Sequence, residues 1–281
     1  MILFKPREEL VKQGDYVSRF SVEPNSLEAL YGLPPKVLFC QKCVISNQRP
    51  NSTVEFEHTK VSSKVTISFD DNGVCDACRT AEAKKTTIDW QQREAELHAL
   101  CDRYRKKGQG YDCLVPGSGG KDSFYAAHVL KHKYGMNPLC LTITPALALD
   151  LGEKNLKAFV ESGYNHITVN PAYEAMRTLN RIGFLEMGFP YYGWLVSISA
   201  GVIRMANQLG LELVFYGEDG EVEYGGSTET DKNPIYDVTY MKKVYLEGGY
   251  EKVLKGSDVD QSDLYFFQFP SDEELQRNPI D

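Results

Sequence analysis

The sequence predicts an α/β protein, a parallel sheet with helices on both faces, preceded by a small module built on paired cysteines. Three observations carry that prediction. Short apolar runs alternate with helical stretches from Cys113 to Tyr216. A glycine-rich turn, Pro116-Gly117-Ser118-Gly119-Gly120, joins the first of those runs to a helix. Two C-x-x-C pairs, Cys40/Cys43 and Cys75/Cys78, stand upstream of the alternation.

Composition narrows the class. With 281 residues, 42% hydrophobic and 25% charged, the chain suits one large globular domain or two smaller ones. A formal net charge of −8 argues against a large nucleic-acid footprint, so no nucleic-acid partner is expected. Met1 to Phe20 is charged throughout and has no apolar core of signal-peptide type. Gly193 to Ala206 comes closest to a membrane span, but it is too short and Arg204 interrupts it, so it reads as a buried helix. Seven cysteines, four of them in C-x-x-C pairs, suit metal binding in a reducing cytoplasm better than a disulfide framework.

In chain order, residues 1–36 read as an N-terminal arm, broken by Pro24, Pro34 and Pro35. Residues 37–82 read as a zinc-binding module. Each C-x-x-C can place two thiolates on one Zn²⁺, and Cys40, Cys43, Cys75 and Cys78 together complete a closed, structural site. Val65 to Phe69 alternates as a strand, and Asp70-Asp71-Asn72-Gly73 turns the chain into the second pair. His58 is a loop histidine that would serve only as a substitute ligand. Asp89 to Lys107 reads as a helix with Leu97, Leu100, Cys101 and Tyr104 on one face, a capping box at Asp89/Gln92 and a stop at Gly108.

From residue 83 onward a single α/β domain is expected. Cys113–Val115 is its first strand and 121–134 the helix after the turn. Strands follow at 139–143 and 166–169, helices at 151–162, 172–187 and 194–209, and an apolar strand at 211–216. His128 and His132 share a helix face without a third ligand and read as structural. Beyond Ser227 the pattern thins. Residues 240–254 suit a helix, Phe266, Phe267 and Phe269 form an apolar patch that wants a partner, and Ser271 to Leu275 begins like a capped helix.

A strand, a glycine turn and a helix start make an anion site, because the first helical N–H groups are unpaired and carry the positive end of the dipole. Ser118 and Ser123 add hydroxyls and Lys121 adds charge. The Walker pattern fails at Asp122, and the dinucleotide pattern fails because Asp122 stands where its third glycine belongs. Ligands of parallel sheets gather at the strand carboxyl ends, where Thr142 to Pro145, Asn170-Pro171 and the acidic run from Gly217 to Glu221 would join the turn. Carboxylates just past a strand end, at Glu218, Asp219, Glu221 and Glu223, are candidates for Mg²⁺ or substrate.

Ser118-Gly119-Gly120-Lys121-Asp122-Ser123 resembles the S-G-G-x-D-S signature of the PP-loop ATP pyrophosphatases, in the adenine nucleotide alpha hydrolase-like class. The paired cysteines and the run Tyr216 to Gly226 extend the resemblance to one branch, the N-acetyl sugar amidotransferases of bacterial surface-polysaccharide (lipopolysaccharide) and flagellin-glycan pathways. The likeness covers roughly Lys36 to the C-terminus, and relative to that family the domain is expected to be shortened at its C-terminal end. The resemblance implies ATP bound by Pro116, Gly117, Ser118, Gly119, Gly120, Lys121, Asp122, Ser123, Thr144 and Gly217, with Lys121 and Asp122 catalytic. Asp122 would either fix the loop or help to bind Mg²⁺. The implied reaction makes an acetamidino group from the acetamido group of a (nucleotide-)sugar. The amide oxygen attacks the α-phosphate, pyrophosphate leaves, and ammonia then displaces AMP. The implied partners are an N-acetylated sugar substrate, a glutaminase subunit like the one that feeds imidazole glycerol phosphate synthase, and a synthase-like second subunit as conduit. The Phe266–Phe269 patch and the arm are the candidate docking surfaces. Two alternatives stand beside this reading: a PP-loop tRNA-modifying enzyme of the thiolation type, and a non-catalytic nucleotide-binding scaffold.

Overall fold

Three parallel strands, in the order β1-β2-β3, form the sheet of the computed structural model: β1 Cys113–Pro116, β2 Pro138–Ile143 and β3 His166–Val169. The structure describes residues 31–50, 61–106, 108–218, 235, 238–246 and 248–280. Register is set by the pairs Leu114↔Leu139 and Leu141↔Ile167. Helices α1 Asp76–Thr86 and α2 Trp90–Tyr104 precede the sheet. Helix α3 Lys121–His132 links β1 to β2, and α4 Asp150–Glu161 links β2 to β3. After β3 come α5 Tyr173–Met187 and α6 Tyr192–Leu209. The sequence reading includes no helix at α1; the other bounds fall within a few residues of those expected.

Side chains of a strand alternate between faces, and here both faces are covered. Leu114, Leu139, Leu141, Ile143 and Val169 pack with Ala175, Leu179, Val196 and Ala200 of α5 and α6. Cys113, Val115 and Cys140 pack on the other face with Cys101 and Tyr104 of α2, Ala127 and Leu130 of α3, and Phe159 of α4. Cys113 and Cys140, read from the sequence as core, are buried.

The expected strand at 211–216 is a correction. It forms one isolated parallel bridge, Leu114↔Val214. The Leu114 N–H donates to the Leu213 carbonyl at 2.9 Å and the Phe215 N–H to the Leu114 carbonyl at 2.8 Å. Leu213 and Val214 still point to opposite faces of the sheet, one in each core. The segment therefore sits in a fourth strand position, on the side of β1 away from β2. Pairing stops there because the chain leaves the sheet to lay Gly217 against the start of α3. Val65 to Phe69 likewise forms only isolated bridges, Pro50↔Thr66 and Phe69↔Cys75. At α2 the Asp89 carboxylate caps the N–H groups of Gln91 and Gln92, both at 3.0 Å, but the Gln92 side chain turns to Glu96 rather than closing a box. The helix ends at Tyr104, where Arg105 is already extended and its guanidinium reaches the Tyr134 carbonyl.

The C-terminal segment belongs to the core over α6. A helical turn α7 Val238–Tyr240 runs into a π turn at Met241–Tyr245, and α8 Tyr250–Lys255 follows, so the helix expected over 240–254 is broken between them. Helix α9 Asp272–Arg277 opens with the capping box Ser271/Glu274. The aromatic patch does not wait for a partner: Phe267 is 0% exposed, and Phe269 is buried beside it. Arg204, the charge that broke the membrane reading of α6, is itself buried. Its Nε donates to the Gln268 carbonyl at 2.8 Å and its guanidinium to the Phe269 carbonyl at 2.7 Å. Asn207 adds bonds to the carbonyls of Glu274 and Asn278, both at 2.9 Å. Phe267 and Phe269 are thus corrected from docking surface to core, with Phe266 partly buried beside them: Arg204 of α6 donates to the Gln268 and Phe269 carbonyls and Tyr250 of α8 to the Phe267 carbonyl at 3.1 Å. The N-terminal arm before Tyr31, and His58, lie outside the described residues. None of the described helices is long and apolar enough to cross a membrane.

Candidate functional site

The four paired cysteines converge as the spacing predicts. Their Sγ atoms all lie within 4.8 Å of one another, with Cys43 to Cys75 at 3.6 Å and Cys40 to Cys78 at 3.9 Å. A tetrahedral zinc with bonds of about 2.3 Å needs sulfurs roughly 3.8 Å apart, so the residues fit the ion. Two tight turns do the positioning. Cys40 and Cys43 lie within a turn that the Phe39↔Ser46 bridge closes. The second turn is tied by the Asp70 carboxylate, which accepts from the N–H groups of Asn72 (2.9 Å) and Val74 (2.8 Å). Gly73 there has φ +71°, a left-handed conformation that favours glycine. Cys75 is the N-cap of α1 and Cys78 lies in its first turn, so both sit at the positive end of that helix. The Gln41 N–H joins the turns through the Gly73 carbonyl at 3.0 Å.

The thiols do not share one affinity for protons. Burial pushes the Cys40 thiol up, but backbone N–H groups around its sulfur, Cys75 and Lys42 first among them, outweigh that and bring it down to about 6. Burial drives Cys75 up, and Cys78 up to about 12 with its neighbouring thiols adding to the rise. Four sulfurs this close cannot all ionise without a cation among them, and a divalent ion is what the donor set calls for. None of the seven cysteines is in a disulfide.

The glycine-rich loop lies at the carboxyl end of β1. That strand has β2 on one side and the segment 211–216 on the other, the switch point at which open parallel sheets bind ligands. Gly119 has φ +96°, and a Cβ there would stand 2.6 Å from the Gly152 carbonyl. A Cβ on Gly217 would stand 2.6 Å from both the N and the Cα of Ser123. Two strand ends and the start of α4 thus close on the loop through bare backbone. Gly120 is the N-cap of α3 and no side chain caps it, which leaves the first helical N–H groups for another acceptor. Lys121 and Asp122 are exposed side by side, the Lys121 Nζ 2.8 Å from each Asp122 carboxylate oxygen.

Hydrogen bonds run from β3 to the loop. Thr142 donates its hydroxyl proton to the Gly117 carbonyl at 2.6 Å. Its contact with His166 Nε2 at 2.9 Å must then be donated by the imidazole, which assigns the proton to Nε2. Nδ1 is left to accept from Thr168 at 3.5 Å. Burial holds the His166 imidazole below its ordinary value, in keeping with a neutral ring. Sequence reasoning gave His166 no role beyond opening β3. Thr144 meets Asn170, not the loop, at 2.6 Å.

Two clefts flank the segment Tyr216 to Glu218. One, of about 340 Å³, runs from Gly117, Ser118 and Ser123 of the loop to α6. Trp194, Ile198 and Val202 line it from successive turns of α6, and Met241 and Tyr245 close it. The indole Nε1 of Trp194 is buried and has no hydrogen-bond partner among the described residues. An unmet buried donor costs about 1–3 kcal/mol. These residues were read from the sequence only as a buried helix. Their i, i+4, i+8 spacing was the available signal, but it marks core and cleft alike. The second cleft, of about 370 Å³, brings Asp122 and Glu218 to its walls beside Tyr125 and Phe215. Asp219, Glu221 and Glu223 lie outside the described residues.

No family model matches the chain. An uncharacterized protein of Methanocaldococcus jannaschii is 31% identical over 86 residues, which make up 31% of this chain and 30% of that protein. A solved structure, described as a predicted subunit of a tRNA methyltransferase from Methanocaldococcus jannaschii, aligns over 58% of this chain and 93% of its own. The sequence identity is 16% and the TM-score 0.27. The functional reading therefore rests on the residues of the site.

Proposed function

We propose that the chain is a PP-loop ATP pyrophosphatase that activates an amide oxygen, an ATP-dependent amidotransferase acting on an N-acetylated sugar. The observation that carries this reading is the placement of Ser118 to Ser123 at the switch point, wrapped on an uncapped helix start and bordering a cleft large enough for a second substrate. The loop N–H groups and Lys121 would hold the phosphates of ATP, and Asp122 and Glu218, which line one cleft, are the carboxylates that would hold Mg²⁺, which would supply charge stabilisation. Lys121 would then exchange its contact with Asp122 for phosphate. With both substrates in place, rate comes from in-line positioning of the amide oxygen and from charge stabilisation on the phosphates.

Nitrogen has to come from outside the chain in this reading. Four of the seven cysteines form the metal cluster, and Cys101, Cys113 and Cys140 are buried. Burial pushes all three of those thiols up, Cys140 to about 12, away from the thiolate a glutaminase needs. A separate glutaminase, with a synthase-like subunit as conduit, would supply ammonia. The test is purified protein with ATP, Mg²⁺, ammonium and a panel of N-acetylated nucleotide sugars, read by mass spectrometry. AMP, pyrophosphate and a product one mass unit lighter than the substrate are expected, with ammonium but not glutamine as the nitrogen source. Release of ADP and orthophosphate would sink the loop assignment.

A further inference from the structure

We propose that Thr142 is a positioning residue for the phosphate loop: its hold on the Gly117 carbonyl turns the Ser118 N–H toward the anion. This rests on the reading above and goes beyond the loop's own residues. Thr142 is 2% exposed, so it acts from beneath the loop and not on the nucleotide. Gly117 is tied to β2 at both of its polar groups. Its N–H donates to the Leu141 carbonyl at 2.9 Å, and its carbonyl accepts the Thr142 hydroxyl proton at 2.6 Å. The peptide from Gly117 to Ser118 is trans and planar, so its N–H points opposite its carbonyl, away from Thr142. No backbone acceptor takes that N–H among the described residues. Ser118 is exposed and stands between the end of β1 and the uncapped start of α3. Without Thr142 this peptide would be free to flip, since the glycine on one side resists little. A flip would present a carbonyl oxygen to the phosphate in place of an N–H, repulsion in place of attraction. His166 decides where the hydroxyl proton goes. With its own proton on Nε2 it donates to Thr142 at 2.9 Å, and the Thr142 proton is left for Gly117. With that proton on Nδ1 instead, Nε2 would take the Thr142 proton and release the carbonyl.

The test is calorimetric titration of the full chain with inorganic pyrophosphate and with ATP, with urea unfolding of each variant beside it. Thr142→Val keeps the shape and removes the hydroxyl, and it should weaken pyrophosphate affinity about tenfold. Thr142→Ser restores the hydroxyl and should recover most of that loss. A threonine that serves only the fold would lower the urea midpoint of Thr142→Val and leave pyrophosphate affinity alone, and that result overturns the proposal. So does a Thr142→Ser variant that binds as weakly as Thr142→Val. If Thr142→Val does not fold, the native protein decides. In NMR spectra of protein with nitrogen-labelled serine, the Ser118 amide proton should move downfield on adding pyrophosphate, and an unmoved resonance overturns the proposal. Native protein that binds pyrophosphate no better than a folded Thr142→Val refutes this inference alone. Native protein that binds neither pyrophosphate nor ATP removes the pyrophosphatase reading, and this inference with it.

Discussion

The cysteine module and the glycine-rich loop both converge polar atoms on one point, yet they are held there by different means. The module is local. Two short turns place its four sulfurs, and its described core holds only Cys40, Ile67 and Cys75 as buried side chains. Little apolar surface supports it, so its stability must come from the ion its thiols would bind. The loop is the reverse. Its own residues are small and polar, and its shape is imposed by Gly152 of α4, Ser123 of α3, Thr142 of β2 and Gly217 beyond the sheet. A site built from ligands can be lost by removing one atom. A site built from packing is lost when its neighbours move.

Removing the metal should separate the two most strongly. Protein purified without added zinc should carry close to one equivalent, and chelation should unfold residues 37–82 while the sheet persists. Structural zinc in isolated zinc-finger peptides is worth about 10–16 kcal/mol, so the module should not survive. Limited proteolysis with and without chelator would show it. Cleavage spread evenly over both regions would mean that the module is not held by metal.

The converse break is steric. Gly217→Ala places a Cβ against Ser123 backbone and Gly119→Ala places one against Gly152. Each should cost about 1–3 kcal/mol in urea unfolding and at least tenfold in ATP affinity, with zinc content unchanged. Variants that unfold normally and bind ATP as before would show that the loop does not need those close approaches.

Asp122→Ala tests chemistry rather than packing. Both Lys121 and Asp122 are exposed, so stability should change by less than about 0.5 kcal/mol. Turnover, read as pyrophosphate release, should fall at least a hundredfold if Asp122 helps to hold the metal. A variant that keeps turnover would reduce Asp122 to a partner for Lys121.

The smallest expected effect concerns His166. Its imidazole is held below the ordinary value by burial, so the folded state binds fewer protons than the unfolded one on the acid side of neutrality. This contribution therefore favours the fold at neutral pH, declines as pH falls below about 6.5, and stops declining once pH is below the folded value. Urea midpoints across that range should fall more steeply for the native protein than for His166→Gln. Parallel curves would remove the histidine from the support of the loop.

The sequence determined on its own what depends on neighbours along the chain. Two C-x-x-C pairs fix two thiols each within reach of one ion, whatever the rest does, and the four sulfurs do converge. The glycine turn and the helix at Lys121 follow from the conformational freedom of glycine and from helical periodicity, and both stand where they were read. Tertiary structure decided what depends on distant neighbours. The aromatic patch at 266–269 reads as exposed until Arg204 and Asn207, more than sixty positions away, reach the backbone of residues 268–278. His166 reads as an ordinary strand residue until Thr142 spends its one proton on Gly117. The stripe Trp194, Ile198, Val202 has the period of any buried helix, and only the position of α6 beside the loop makes it the wall of a cleft. Apolar spacing records that a face leaves water. It does not record whether that face meets another side chain or a ligand.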